Sequence, residues 1–129
     1  MIAWYWQALA VGCGGAIGAL LRYGISELVA FAAGKGPPWG TLAVNLLGCL
    51  VIGVVWAWLD QREQDPTQLR LFLVTGLLGS LTTFSTFSQE TVTLIQSDRP
   101  GWAAAYALGS LALGLCMVLL GRGLHTAVR

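Results

Sequence analysis

Apolar residues fill four intervals of the chain almost without interruption: roughly Ile2 to Ala33, Trp39 to Leu59, Leu71 to Ile95 and Trp102 to Leu120. Each meets the ~20 residues that cross the hydrocarbon core of a bilayer as a helix. The segments between them are short and polar. Gly34-Lys35-Gly36-Pro37-Pro38 separates the first interval from the second, because proline cannot continue a helix and glycine frees the turn. Asp60 to Pro66 joins the second to the third, and Gln96 to Gly101 joins the third to the fourth. The pattern predicts an all-α membrane protein: four transmembrane helices in one domain over residues 1–129, with no linker, low-complexity tract or repeat.

Composition agrees. Of 129 residues, 56% are hydrophobic and 10% charged, with a mean hydropathy of +0.70. A soluble domain carries about 25% charged residues. The net charge of +1 gives no basic surface for nucleic acid. Met1 to Trp6 has no basic residue, and the apolar run after it is too long for a signal-peptide core, so a retained first helix is expected. Cys13, Cys49 and Cys116 lie in apolar stretches without Cys-x-x-Cys spacing and read as small buried hydrophobes. Trp4, Tyr5, Trp6, Trp39, Trp56, Trp58 and Trp102 fall near helix ends, where interfacial aromatic belts sit.

Charge hardly orients the chain. Arg62, Arg70, Arg122 and Arg129 stand on one side of the four expected spans, against Lys35, Arg99 and Arg22 on the other. A near-even split under the positive-inside rule permits insertion both ways round, and two opposed copies could then pair. Four helices scarcely enclose a pore, so an oligomer is expected. Gly14/Gly18, Gly15/Ala19, Ala103/Ala107 and Ser110/Gly114 have the small-xxx-small spacing that lets membrane helices pack closely.

The third interval departs from this apolar pattern. Thr82 to Ser88 places five hydroxyls and two phenylalanines in seven positions at membrane depth. Lipid offers polar groups no partner, so these must face protein, water or a ligand. With Gly76 and Gly79 just upstream, the helix is weak from Gly79 through Thr83. A break there would free carbonyls before it and amides after it, the way transporters hold ions. A straight helix with hydroxyls bonded back to its own carbonyls is the competing reading. Phe84 and Phe87 share a helical face, with Thr83, Thr86 and Glu90 as a neighbouring stripe. Phenyl edges are electropositive and could solvate a dehydrated anion; the plainer reading is lipid contact or core packing. Glu90, about a turn from the loop, is expected at a wet interface.

Asn45 is the only amide of the second interval and serves either as interhelical glue or as a pair of donors. Tyr106 and Ser110, with Gly114, form a stripe that could border a narrow polar path. Arg22 could snorkel, pair with Glu27, or draw anions toward a vestibule. His125 stands alone in the C-terminal tail and has no assigned role. The expected spans hold no Ser-His-Asp or metal-ligand arrangement, so an enzyme is not expected.

Three blocks together resemble the Fluc fluoride channels, also called the CrcB family: Gly14-Gly15-Ala16-Ile17-Gly18-Ala19-Leu20-Leu21-Arg22-Tyr23, Gly40-Thr41-Leu42-Ala43-Val44-Asn45-Leu46-Leu47-Gly48, and the run from Gly76 to Glu90. The resemblance implies a fluoride-selective channel for passive export of cytoplasmic fluoride, conferring fluoride resistance from the cell inner (plasma) membrane. It implies an antiparallel dual-topology homodimer with a broken third helix, two pores, and a structural sodium ion at the dimer centre bound by backbone carbonyls of Gly79 and Thr82. By the same resemblance Phe84 and Phe87 line each pore, Asn45 donates to fluoride, Arg22 sits near a vestibule, and Tyr106 and Ser110 belong to a polar track. Gly114 departs from the family's second serine, so Thr41 or Thr83 would supply that hydroxyl. The alternative from another class is a small dual-topology proton-coupled exporter of organic cations. It needs a deep carboxylate, whereas Glu27 and Glu90 lie toward span ends. A non-conducting assembly subunit would leave Asn45 and the hydroxyl run idle.

Overall fold

The computed structural model describes residues 3–34, 38–62 and 66–127. Met1, Ile2, Lys35, Gly36, Pro37, Glu63, Gln64, Asp65 and Arg129, which the sequence reading used for helix starts, connections or charge balance, lie outside the described residues. Helix α1 spans Trp4–Ala33 and α2 spans Trp39–Leu59. The third path is composite: α3 (Thr67–Arg70), a π-helical segment (Leu71–Leu78), α4 (Gly79–Leu81) and α5 (Phe84–Gln96). Helix α6 spans Pro100–Ala127. Among the described residues four stretches are long and apolar enough to cross a membrane, and the chain is a multi-pass membrane protein.

The turns follow from local chemistry. Gly34 ends α1 at φ 75°, where a side chain would be strained, and its amide closes the last turn on the Ala30 carbonyl at 3.1 Å. Asp98 takes the left-handed region at φ 55° in the tight turn before α6, a conformation that aspartate tolerates better than most residues. Two boundaries differ from the sequence expectation by more than two residues. The third path begins at Thr67, four residues before Leu71, because the Pro66 carbonyl accepts from the Arg70 amide at 2.9 Å and starts the helix early. Helix α6 runs past Leu120 to Ala127 because its last turns are tied to the end of α2. Arg122 Nη2 pairs with Asp60 Oδ2 at 2.9 Å, and His125 Nε2 lies 2.9 Å from Gln61 Oε1. His125 is therefore neither alone nor in a tail.

Within a bilayer, helices associate through close backbone approach rather than hydrophobic burial. Two such pairings organise the molecule. Helix α1 packs on the π-helical segment, where a Cβ at Gly14 or Gly18 would run into the carbonyls of Phe72 or Leu77, and one at Gly76 would meet the Val11 carbonyl. Helix α2 packs on α6 in the same way, with Gly53 against the Val118 carbonyl and Gly121 against that of Leu50. Val44, Leu78, Leu81, Ala57 and Ala103 are buried between them, whereas most large apolar side chains of α1 and α6 face outward.

Candidate functional site

The polar run lies where the α-helical path gives way. Helix α4 ends at Leu81; Thr82 (φ −84°, ψ 156°) and Thr83 (φ −147°, ψ 118°) are extended, and α5 resumes at Phe84. Thr82 still turns back on Leu78, whose carbonyl accepts from its amide at 3.1 Å and from its hydroxyl at 2.9 Å. The Thr83 amide, which in a continuous helix would bond to the Gly79 carbonyl, instead donates to Asn45 Oδ1 at 2.8 Å. Carbonyls at the end of α4 are thereby released from the ladder. Thr83 Oγ1 caps α5 by accepting from the Thr86 amide at 3.3 Å. Several hydroxyls of α5 bond back to their own helix: Ser88 to the Phe84 carbonyl, Thr91 to that of Phe87 and Thr93 to that of Gln89.

Asn45 reaches this point from α2. Besides accepting from the Thr83 amide, its Nδ2 donates to the Thr83 carbonyl at 3.2 Å, so one amide splints both backbone groups of one extended residue. Both readings of Asn45 stay chemically possible, because its second N–H is not used by these two bonds. One turn further along α2, Gly48 admits the Thr82 methyl, which a Cβ there would strike.

Around the interruption lies a groove of about 440 Å³. Asn45, Thr83, Phe84, Phe87 and Ser110 line it, together with Gly79, Thr82 and Gly114. The Phe84 and Phe87 rings stand 5.8 Å apart at 40°, and Phe87 lies 5.2 Å from the Tyr106 ring at 46°. Phe84 is 80% exposed on the single chain. Ser110 Oγ is buried and has no hydrogen-bond partner among the described residues, an arrangement that buried hydroxyls rarely tolerate. Gly114 is buried against Cys49, whose Sγ would lie 3.4 Å from a Cβ placed there. No serine stands at that point, and the thiol is the nearest side-chain atom.

A second polar junction sits about two turns along α5. Glu90 Oε1 accepts from Thr41 of α2 at 2.6 Å, and Oε2 accepts from the Tyr106 hydroxyl of α6 at 2.7 Å. Glu90 is thus half-buried and shared among three helices. The stripe Thr83, Thr86, Glu90 held that signal, but only the fold supplies its partners. Of the expected site residues, Asn45, Thr83, Phe84, Phe87, Ser110, Gly79 and Thr82 share one groove. Tyr106 stands beside it through Phe87 and Glu90. Arg22 is not brought there: it is half-buried on α1, with no ion pair to Glu27.

The family model for CrcB-like protein, Camphor Resistance (CrcB), matches residues 9–122. The chain is 41% identical over 122 residues to a "Fluoride-specific ion channel FluC" of Rhizobium leguminosarum bv. trifolii, covering 95% of this chain and 98% of that one. It is 47% identical over 120 residues to the protein of that name from Thermus thermophilus, covering 93% and 95% of the two chains. With the protein of that name from Chloroflexus aurantiacus it shares 47% over 116 residues, covering 90% and 92%. The chain belongs to the CrcB family.

Proposed function

We propose that this CrcB-family chain is a fluoride-selective ion channel that lets cytoplasmic fluoride leave passively across the cell inner membrane. The observation that carries the reading is the groove at Thr82 and Thr83, where the Asn45 amide, the Ser110 hydroxyl and the Phe84 and Phe87 rings share one lining without a charged side chain. Relatives named as fluoride-specific channels over nearly the whole length support it.

Fluoride is small and strongly hydrated, so a pore must replace its water with several donors at once. Neutral donors do this without trapping the ion, since conduction needs sites that are easy to enter and easy to leave. The free N–H of Asn45 and the unpartnered hydroxyl of Ser110 are such donors, whereas the Thr83 hydroxyl donates to Thr86 Oγ1 at 3.0 Å and would have to turn toward the ion. Phe84 and Phe87 add electropositive ring edges, and Tyr106 extends the polar path beyond Phe87. The leading amides of α5 carry the positive end of its dipole. Arg22 acts at longer range, drawing anions toward the entrance.

The functional unit is an antiparallel, dual-topology homodimer with two pores. Its support is the exposure of Phe84 on a largely apolar groove that also holds Asn45, Thr83 and Ser110, polar groups that lipid serves poorly and a second copy would cover. The broken third helix then forms the dimer centre, where released carbonyls of Gly79 and Thr82 from both copies meet. Carbonyl oxygens suit a hard cation, and a sodium ion held there would supply positive potential near both pores. The cation-exporter reading wants an available carboxylate at mid-depth, but both Glu90 oxygens are engaged by Thr41 and Tyr106. The test uses purified protein in liposomes loaded with fluoride or chloride, without a pH gradient. Rapid fluoride loss with chloride retained is expected; equal retention of both ions, or release only under a pH gradient, would overturn the reading.

A further inference from the structure

The third span contains an irregularity before its extended residues, and α1 shows what it accomplishes. Over Gly14 stand both the Phe72 carbonyl and the Leu77 amide, and over Gly18 stands the Leu77 carbonyl. Phe72 and Leu77 are five residues apart, the spacing of a π-helical ladder bond. Gly14 and Gly18 are four apart, one α-turn. Five residues of the third span are therefore matched against four of α1 across one contact. An α-helix of the same five residues would leave Leu77 rotated by roughly 100° from Gly18. Everything downstream, including Thr83 facing Asn45, would turn with it.

We infer that the π-helical segment Leu71–Leu78 is a register device: it absorbs one residue more than the α1 contact requires, so that Thr82 and Thr83 arrive facing α2. Thr75 is the residue to regard as supernumerary. It is exposed, it lies between the two contacts, and it is the only polar side chain of the segment. Gly76 is fixed by its approach to the Val11 carbonyl, and Leu78 is buried. The segment touches no ion in this account; it positions the residues that do, and in that respect rests on the proposed channel reading.

Two single-residue deletions separate register from mere helix integrity. Removing Thr75 leaves four residues against four, an α-turn on an α-turn, with the downstream path unturned. Removing Ser80, beyond the Leu77 contact, turns Leu81 to Phe84 away from Asn45. The parent and both deletions are purified, and their detergent melting temperature and fluoride efflux from liposomes are measured. The Thr75 deletion is expected to melt no lower than the parent and to release fluoride at a similar rate. The Ser80 deletion is expected to melt lower and to release fluoride at the background rate. A Thr75 deletion that fails to fold, melts as low as the Ser80 deletion, or loses efflux alongside it would overturn the inference. So would a Ser80 deletion indistinguishable from the parent. If the parent itself passes no fluoride, the channel reading fails, and the melting temperatures still decide the register question.

Discussion

The two halves of the third span are held by different physics. From Leu71 to Leu81 the path is mostly apolar, with Gly76, Leu78 and Leu81 buried, and its backbone lies directly against that of α1. After Thr83 no residue of α5 is buried. That half is attached by a few polar contacts: Asn45 to Thr83, Glu90 to Thr41 and Tyr106, and the ring of Phe87 on that of Tyr106. Backbone packing fixes one half as a rigid wall. Hydrogen bonds at low dielectric aim the other, and leave its rings and donors open toward the groove.

This contrast predicts a graded response to substitution. The largest effect is expected from Gly18→Val, which drives a side chain into the Leu77 carbonyl. Backbone cannot yield as a side chain can, so the cost is roughly 3 kcal/mol or more. The variant should fail to give a single sharp peak on size exclusion, and a parent-like profile would show that α1 is not welded to the first half.

Asn45→Leu comes next. It keeps the approximate volume but strips Thr83 of a partner for both its amide and its carbonyl. Each unmet buried group costs about 1–3 kcal/mol, so melting should fall clearly while the protein still assembles. Exchange of the Thr83 amide is expected to be slow in the parent and fast in the variant, because its bond to Asn45 Oδ1 is gone. An unchanged exchange rate would mean that the second half is not aimed by α2.

Tyr106→Phe is the mildest. It removes one hydrogen bond to Glu90 but keeps the ring against Phe87, for about 1 kcal/mol. Thr41 continues to hold the other carboxylate oxygen. A small drop in melting temperature is expected, and a collapse as deep as that of Asn45→Leu would show that Glu90, not Asn45, anchors α5.

The same division explains what the sequence could reveal. Apolar runs long enough to span a bilayer are a local property, and the second interval, Trp39 to Leu59, coincides with α2. Glycines four apart on α1 announced a close-packing face without naming what it packs on. The π-helical segment was not legible, because Leu-Phe-Leu-Val-Thr-Gly-Leu-Leu reads as an ordinary apolar helix. Its geometry comes from matching five residues to four across the contact with α1. Glycine and hydroxyl content left both an interruption and a straight helix open near Gly79–Thr83. What decides there is an amide 38 residues away in sequence, at Asn45. The partners of Glu90 were hidden for a similar reason, because Thr41 and Tyr106 arrive from two other helices. The reach of α6 to Ala127 depends on Asp60 and Gln61, which no pattern within α6 could report.

The central claim is that neutral donors and ring edges beside Thr82 and Thr83 carry the anion, while the packed half only supports them. Fluoride efflux from liposomes bearing Phe84→Ile or Phe87→Ile protein tests it most directly, with size-exclusion elution as the check on assembly. The account predicts efflux near the protein-free background with parent-like elution. Parent-rate fluoride release from both variants would contradict it.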